Sequence, residues 1–325
     1  MRLKQYAETN TALGSDVTLT VVSRASESKV AKLLGRLWHD IYVFERQFSR
    51  FLPMSELSVF NRSAGLEMPI SPEFKTLLQA AKALGEQTNG LYNPFILPAL
   101  QRAGYTKSHV AQYANDTQDD HSAKQVVAVN ALKINQNTAS IPYGTALDLG
   151  GCGKGYLGQQ LSDSMPDWVQ GYWLSLGGDV AAAGQDASGK LWQVSVQRAD
   201  NPSKSSDFVI SGASKQFAVA TSGTIIHKGI HNGKPWHHII DPRSLQPAAT
   251  DVLLATVYAK SSLQADVLAS CAILLGSKKA LPYLKKHGAK AVLLQCSDGK
   301  EGFVRHFGRA IQIAEANMDK AGIYA

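Results

Sequence analysis

Residues 156–198 read YLGQQLSDSMPDWVQGYWLSLGGDVAAAGQDASGKLWQVSVQR, and their order decides the fold class. YLGQQLSDSM has the composition of a helix, GYWLSLGG and KLWQVSVQR those of strands, and the turns between them are rich in Gly, Asp and Ser. One helix followed by successive strands is not a βαβ repeat, so the expected class is α+β, with mixed or antiparallel sheets and packed helices.

Reading outward strengthens this expectation. VTLTVVS at 17–23 has the β-branched content of a strand, and 28–48 carries apolar residues at helical spacing. Ser71 and Pro72 open a helix predicted to run to Gln87 and to stop near Gly90. Toward the end, DVLLATVY at 251–258 reads as a strand, 262–276 as a mostly apolar helix, and AVLLQCSD with EGFVRHF as a hairpin around Asp298 and Gly299. A single domain over 1–325 is expected, with the polar run at 105–125 as its best internal breakpoint.

Composition narrows the function. The 325 residues are 44% hydrophobic and 18% charged, which is globular, and the net charge of +7 suits an anionic partner. Lys and Arg are spread without a dense basic run or an aromatic platform, which argues against nucleic acid. The three cysteines, Cys152, Cys271 and Cys296, have neither zinc nor disulfide spacing. No apolar leader or lipid-attachment cysteine opens the chain and no segment reads as a membrane span, so the expected location is cytoplasmic, or periplasmic had a leader been removed.

Three strand-like ends carry small residues: DLGGCGKGY at 148–156, LSLGGDV at 174–180 and AVATSGT at 218–224. In the first, free backbone N–H groups and Lys154 could meet a phosphate while Asp148 takes a hydroxyl or amine; a ligand-free glycine turn is the alternative. Together the three could converge on one cleft. In KPWHHIIDPRSLQP, residues 234–247, His237 and His238 point opposite ways on extended backbone, so only one of them can face a ligand. Asp266 and Ser270, at i,i+4 on an otherwise apolar helix, could cap a neighbouring loop or bind a divalent cation through oxygen.

SELSVFN at 55–61, NGLYNPFILPALQRAGY at 89–105, DLGGCGKGY, SLGGDV, AVATSG, HHIIDPRSLQP and ADVLAS at 265–270 occur in an order that resembles the ApbE family, flavin transferases that move FMN from FAD to a protein threonine or serine. The resemblance spans roughly residues 12–276 and implies an ApbE-like fold, FAD as substrate, Mg2+ and an acceptor flavoprotein. It places Leu13, Phe51, Leu91, Tyr92, Asn93, Asp148, Lys154 and Ile240 around the flavin nucleotide. It also implies the Gly151 carbonyl, Asp266 and Ser270 as metal ligands, His238 for proton handling and Asp241 for ordering the histidine loop. Phe51 stands where a tyrosine is frequent, Asn93 where an aspartate is, Ser270 where a threonine is and Leu245 where a glycine is. A relative that only binds or hydrolyses FAD is the alternative.

Overall fold

The computed structural model describes residues 2–106 and 125–313, apart from 202, 214, 232 and 300. Most of the polar run at 105–125 therefore lies outside the described residues.

The frame is an eight-stranded antiparallel sheet whose strands lie side by side in chain order: β1 Lys4–Ala12, β2 Ser15–Ser23, β3 Val169–Leu176, β4 Asp179–Gly184, β5 Phe217–Gly223, β6 Val252–Ala259, β7 Ala291–Ser297 and β8 Gly302–Phe307. Period-two alternation gives the inner strands two apolar faces. Val17, Leu19, Val21 and Leu174 point to one side, where they meet the helices. Val180, Ala182, Phe217, Val219 and Leu293 point to the other, against Val194, Val196 and Ile210 of a three-stranded sheet formed by Gln193–Gln197, Ser205–Ser211 and Ile311–Ile313. The α+β expectation is met, and β1, a mostly exposed edge strand, is an addition to it.

Six α-helices are described: α1 Glu27–Phe48, α2 Glu56–Arg62, α3 Pro72–Gln87, α4 Leu97–Ala103, α5 Gly150–Asp163 and α6 Ser262–Lys286. In α1 the apolar stripe of Val30, Leu33, Leu34, Leu37 and Ile41 packs on β2 and β3. α3 begins as its sequence predicts, with the Ser71 side chain accepting from the Phe74 N–H and Pro72 in the first turn. A second apolar core, built on Phe60, Phe74, Leu77 and Leu78, joins α2 and α3 to Tyr156 of α5 and to Val267 and Cys271 of α6.

The glycine cluster departs from expectation. It was expected as a strand-to-helix turn, but no strand precedes it, and the glycines are themselves the first turn of α5. The extended residues before it are held by Asn61, whose side chain donates to the Leu147 carbonyl (2.9 Å) and accepts from the Leu147 N–H (2.8 Å), as a neighbouring strand would.

Length and apolar content put α6 in the range of a membrane span, contrary to the sequence reading. Its apolarity is accounted for by packing: Leu268, Ala269, Ala272 and Ile273 lie against the sheet, and Val267 and Cys271 face the second core. The helix breaks at Gly276, which has φ 70°, and restarts with Ser277, whose N–H donates to the Asp251 carboxylate (2.9 Å).

α5 and α6 touch at Gly155. A Cβ there would come within 2.7 Å of both Asp266 Cβ and the Ser262 carbonyl oxygen, distances that no packed side chain tolerates. Gly155→Ala is expected to destabilise the protein by about 2 kcal/mol or more through overpacking, read as a lowered denaturation midpoint in urea. An unchanged midpoint would show that the two helices can separate freely.

Candidate functional site

The large sheet, the second core and the strand Gln193–Gln197 line a cavity of about 810 Å³, within the usual size range of small-molecule sites, about 300–1,000 Å³. Leu13, Phe51, Leu91, Tyr92, Asn93, Asp148, Gly151, Lys154, His238, Ile240, Asp266 and Ser270 all line it. So do Gly177, Gly178, Asp179, Thr221, Ser222 and Gly223, so the three small-residue segments do converge. Asp241 stands outside the lining: its carboxylate is bound by the Arg243 guanidinium (2.7 and 2.9 Å) and its carbonyl accepts from the Leu245 N–H (2.8 Å). It braces the turn and has no place at the cavity wall.

Two tight hairpin turns form part of the rim. Leu13–Gly14 joins β1 to β2 and Gly177–Gly178 joins β3 to β4, all four residues having positive φ. Glycine takes this conformation freely, but Leu13, at φ 56°, costs about 1–2 kcal/mol there. Leu245, also at φ 56°, shows why a glycine is frequent at its position.

Asp148 is nearly buried and fully engaged. Its Oδ1 accepts from the Gly150 N–H (2.8 Å), and its Oδ2 pairs with Arg50 Nε (2.7 Å). The Arg50 guanidinium also lies over the Phe51 and Tyr105 rings, 4.1 and 4.7 Å from their centroids. Asn93 is committed likewise: Oδ1 accepts from the Phe95 N–H (3.0 Å) and Nδ2 donates to the Val127 carbonyl (2.8 Å). An aspartate could not make the second bond, so asparagine suits this chain.

Lys154 Nζ pairs with Asp179 Oδ2 at 2.9 Å, and the other Asp179 oxygen accepts from the Thr221 N–H (3.0 Å). Burial alone would lower the Lys154 pKa, but Asp179 and Asp266 together raise it, so the ammonium stays charged. Asp266 Oδ2 accepts from the Gly155 N–H (2.9 Å), and burial, reinforced by Asp179, lifts its carboxyl well above the usual carboxylate range. Ser270 Oγ shares a hydrogen bond with Ser222 Oγ (3.0 Å).

These groups fit a hard cation. Asp266 and Ser270 line the cavity beside the first turn of α5, where Gly151 also lines it. A carboxylate oxygen, a hydroxyl and a backbone carbonyl are the donor chemistry that Mg2+ prefers, with water and phosphate completing the shell. Among the described residues no three His, Cys, Asp or Glu side chains group as a metal site.

The histidines part as extended backbone requires. His237 Nε2 donates to the Ala248 carbonyl (3.0 Å), while His238 lines the cavity with its Nδ1 buried and without a hydrogen-bond partner. Burial first, then the neighbouring His227, pushes the His238 pKa down to about 3. Sequence reasoning missed Arg50, Tyr105 and His227, each of which lines the cavity, and treated Asp179 only as the end of a strand. Arg50, the residue before Phe51, was the signal closest to hand.

A family model described as the ApbE family matches residues 13–293. FAD:protein FMN transferases of Haemophilus influenzae and Klebsiella pneumoniae are 24% identical over 297 residues and 27% identical over 292, covering 89% and 86% of this chain and 83% and 86% of theirs. The apo form of Pseudomonas stutzeri flavinyl transferase ApbE superposes with a TM-score of 0.79 at 22% identity, covering 95% of this chain and 96% of its own. The flavin transferase ApbE of Vibrio cholerae gives 0.76 at 21%, covering 95% and 98%. At these identities the structural likeness establishes the fold.

Arg50→Met strands the Asp148 carboxylate in a buried site and is expected to cost about 3–5 kcal/mol; adding Asp148→Asn should restore most of it, as a chemical-denaturation cycle would show. The native chain holds His238 neutral down to about pH 3, whereas an unfolded histidine protonates near 6.5. The unfolded state therefore binds more protons between those values, and stability falls as pH drops through that window. His238→Gln should flatten this decline, measured as the denaturation midpoint against pH.

Proposed function

Because the chain belongs to the ApbE family, we propose that it transfers FMN from FAD to a threonine or serine hydroxyl of an acceptor flavoprotein in a magnesium-dependent reaction that releases AMP. The observation that carries this reading is the gathering of an apolar wall, a charged lysine and an oxygen-donor set around one cavity. Leu13, Phe51, Leu91, Tyr92 and Ile240 offer apolar surface to the flavin, while Asn93 and Asp148, tied into the wall, hold its shape. Asp266, Ser270 and the Gly151 carbonyl would hold Mg2+, which when bound supplies Lewis-acid neutralisation of the diphosphate.

The chain's own groups then do the following. Lys154 keeps its ammonium at the cavity wall and offsets charge on the phosphate oxygens. His238, neutral at working pH, accepts the proton of the acceptor hydroxyl. The hydroxyl oxygen bonds to the FMN-side phosphorus, and the phosphoanhydride bond breaks. AMP departs with the electron pair, and the His238 proton passes to solvent. Asp241 acts at one remove, by fixing with Arg243 the turn that follows His238.

The test is intact-mass spectrometry of an acceptor protein incubated with this protein, FAD and Mg2+, with AMP measured alongside. The acceptor should gain one FMN per AMP released. His238→Ala should lower the rate by about 100-fold or more, while His237→Ala, whose ring is turned to Ala248, should keep most of it. Asp266→Asn should greatly reduce turnover at low Mg2+ while preserving the fold. AMP and free FMN without an adduct would replace transfer by hydrolysis, and no FAD binding by fluorescence quenching would end both readings.

A further inference from the structure

We propose that His227 is a positioning residue for His238, holding that imidazole against the cavity wall by ring contact. The proposal rests on the reading of His238 as the proton acceptor. It starts from the register of the two-stranded ribbon Lys228–His231 and Lys234–His237, in which Lys228 faces His237. The next pair outward along that register is His227 and His238. Opposed residues of an antiparallel pair project to the same face, and their immediate neighbours project to the other. The ribbon thus sends His227 and His238 together into the cavity and turns His237 away from it.

The contacts agree with this geometry. The His238 N–H donates to the His227 carbonyl (3.0 Å), and the two rings meet edge to face with centroids 4.8 Å apart at 80°. Both residues line the cavity. Tyr105 completes a triangle, 6.0 Å from His227 and 6.1 Å from His238, and Trp236 of the ribbon packs 5.9 Å from Tyr105. The ring of His238 is therefore fixed by side chains from two directions before any ligand arrives.

Two imidazoles in contact hold one proton readily and a second only against like-charge repulsion. The groups that bear on His238 are His227, His237, Lys154 and the Tyr105 ring. None of them is a carboxylate. The resting ring is held neutral, and the proton it takes from the hydroxyl is released easily.

The experiment compares wild type with His227→Phe, His227→Ala and His238→Ala. It measures acceptor flavinylation in single turnovers from pH 5 to 9, FAD affinity by fluorescence quenching, and the titration of the His238 ring by NMR in FAD-free protein. His227→Ala should lower the transfer rate about 10-fold with FAD affinity within twofold of wild type. His227→Phe, which keeps a ring but no titratable nitrogen, should recover most of that rate. In that variant the His238 titration and the acid limb of the rate profile should both move to higher pH. Wild-type rate and wild-type His238 titration in both His227 variants would overturn the proposal while leaving His238→Ala inactive. Full transfer by His238→Ala would instead overturn the assignment of His238, and the role of His227 with it. Should His227→Ala fold poorly, the shift in His227→Phe alone decides the matter.

Discussion

The site depends on the contact between α5 and α6 at Gly155. With no side chain there, the backbone of one helix lies directly on the other, and two polar bonds lock the pair: Asp266 accepts from the Gly155 N–H, and Ser262 Oγ donates to the Gly155 carbonyl (2.7 Å). The first bond fixes the one carboxylate of the oxygen-donor set. The same contact sets the height of Lys154, the preceding residue of α5, against Asp179 at the end of the β3–β4 turn. A larger residue at 155 would move the carboxylate and the lysine apart together.

Around this contact two ion pairs stand in the cavity wall. Arg50 balances Asp148 and Lys154 balances Asp179, with Asp148 and Asp179 held by further backbone hydrogen bonds and Arg50 by ring contacts. Buried ions are tolerated only with such partners. The pairing also sets their roles: Asp148 stiffens the wall because Arg50 occupies it, whereas Lys154 keeps a third of its side chain exposed and can lean toward an anion.

Much of this was legible in the residues. Most strands of the large sheet announce themselves by β-branched and apolar runs, although β1 and β4 were not read, α1 announces itself by its stripe, α3 by Ser71 and Pro72, and the divergence of His237 and His238 by the geometry of extended backbone alone. The start of α5 was not legible, because glycine favours turns and the groups that engage this cluster, the Asp148 side chain just before it and Asp266 and Ser262 of α6, come together only in the fold. α6 was read too short, since Gly276 looks like a terminator until Asp251 is seen to cap the segment beyond it. Arg50 and His227 escaped because their partners are distant in sequence or across a ribbon whose register could not be inferred. The i,i+4 spacing did put Asp266 and Ser270 on one face of α6, but that Asp266 accepts from the Gly155 N–H of α5 could be seen only in the fold.

The sheet follows chain order from β1 to β8, and this bears on how the molecule is made. During synthesis each new strand emerges beside an edge that already exists, so the sheet can grow one strand at a time without waiting for distant partners. The cavity has no such local route. Gly155 and Asp266 are 111 residues apart, and the helix carrying the acid follows six of the eight strands. A chain stopped short of α6 would lack not only Asp266 and Ser270 but also the apolar faces that complete the sheet-side core and the second core, so the cavity and the packing around it form together and late.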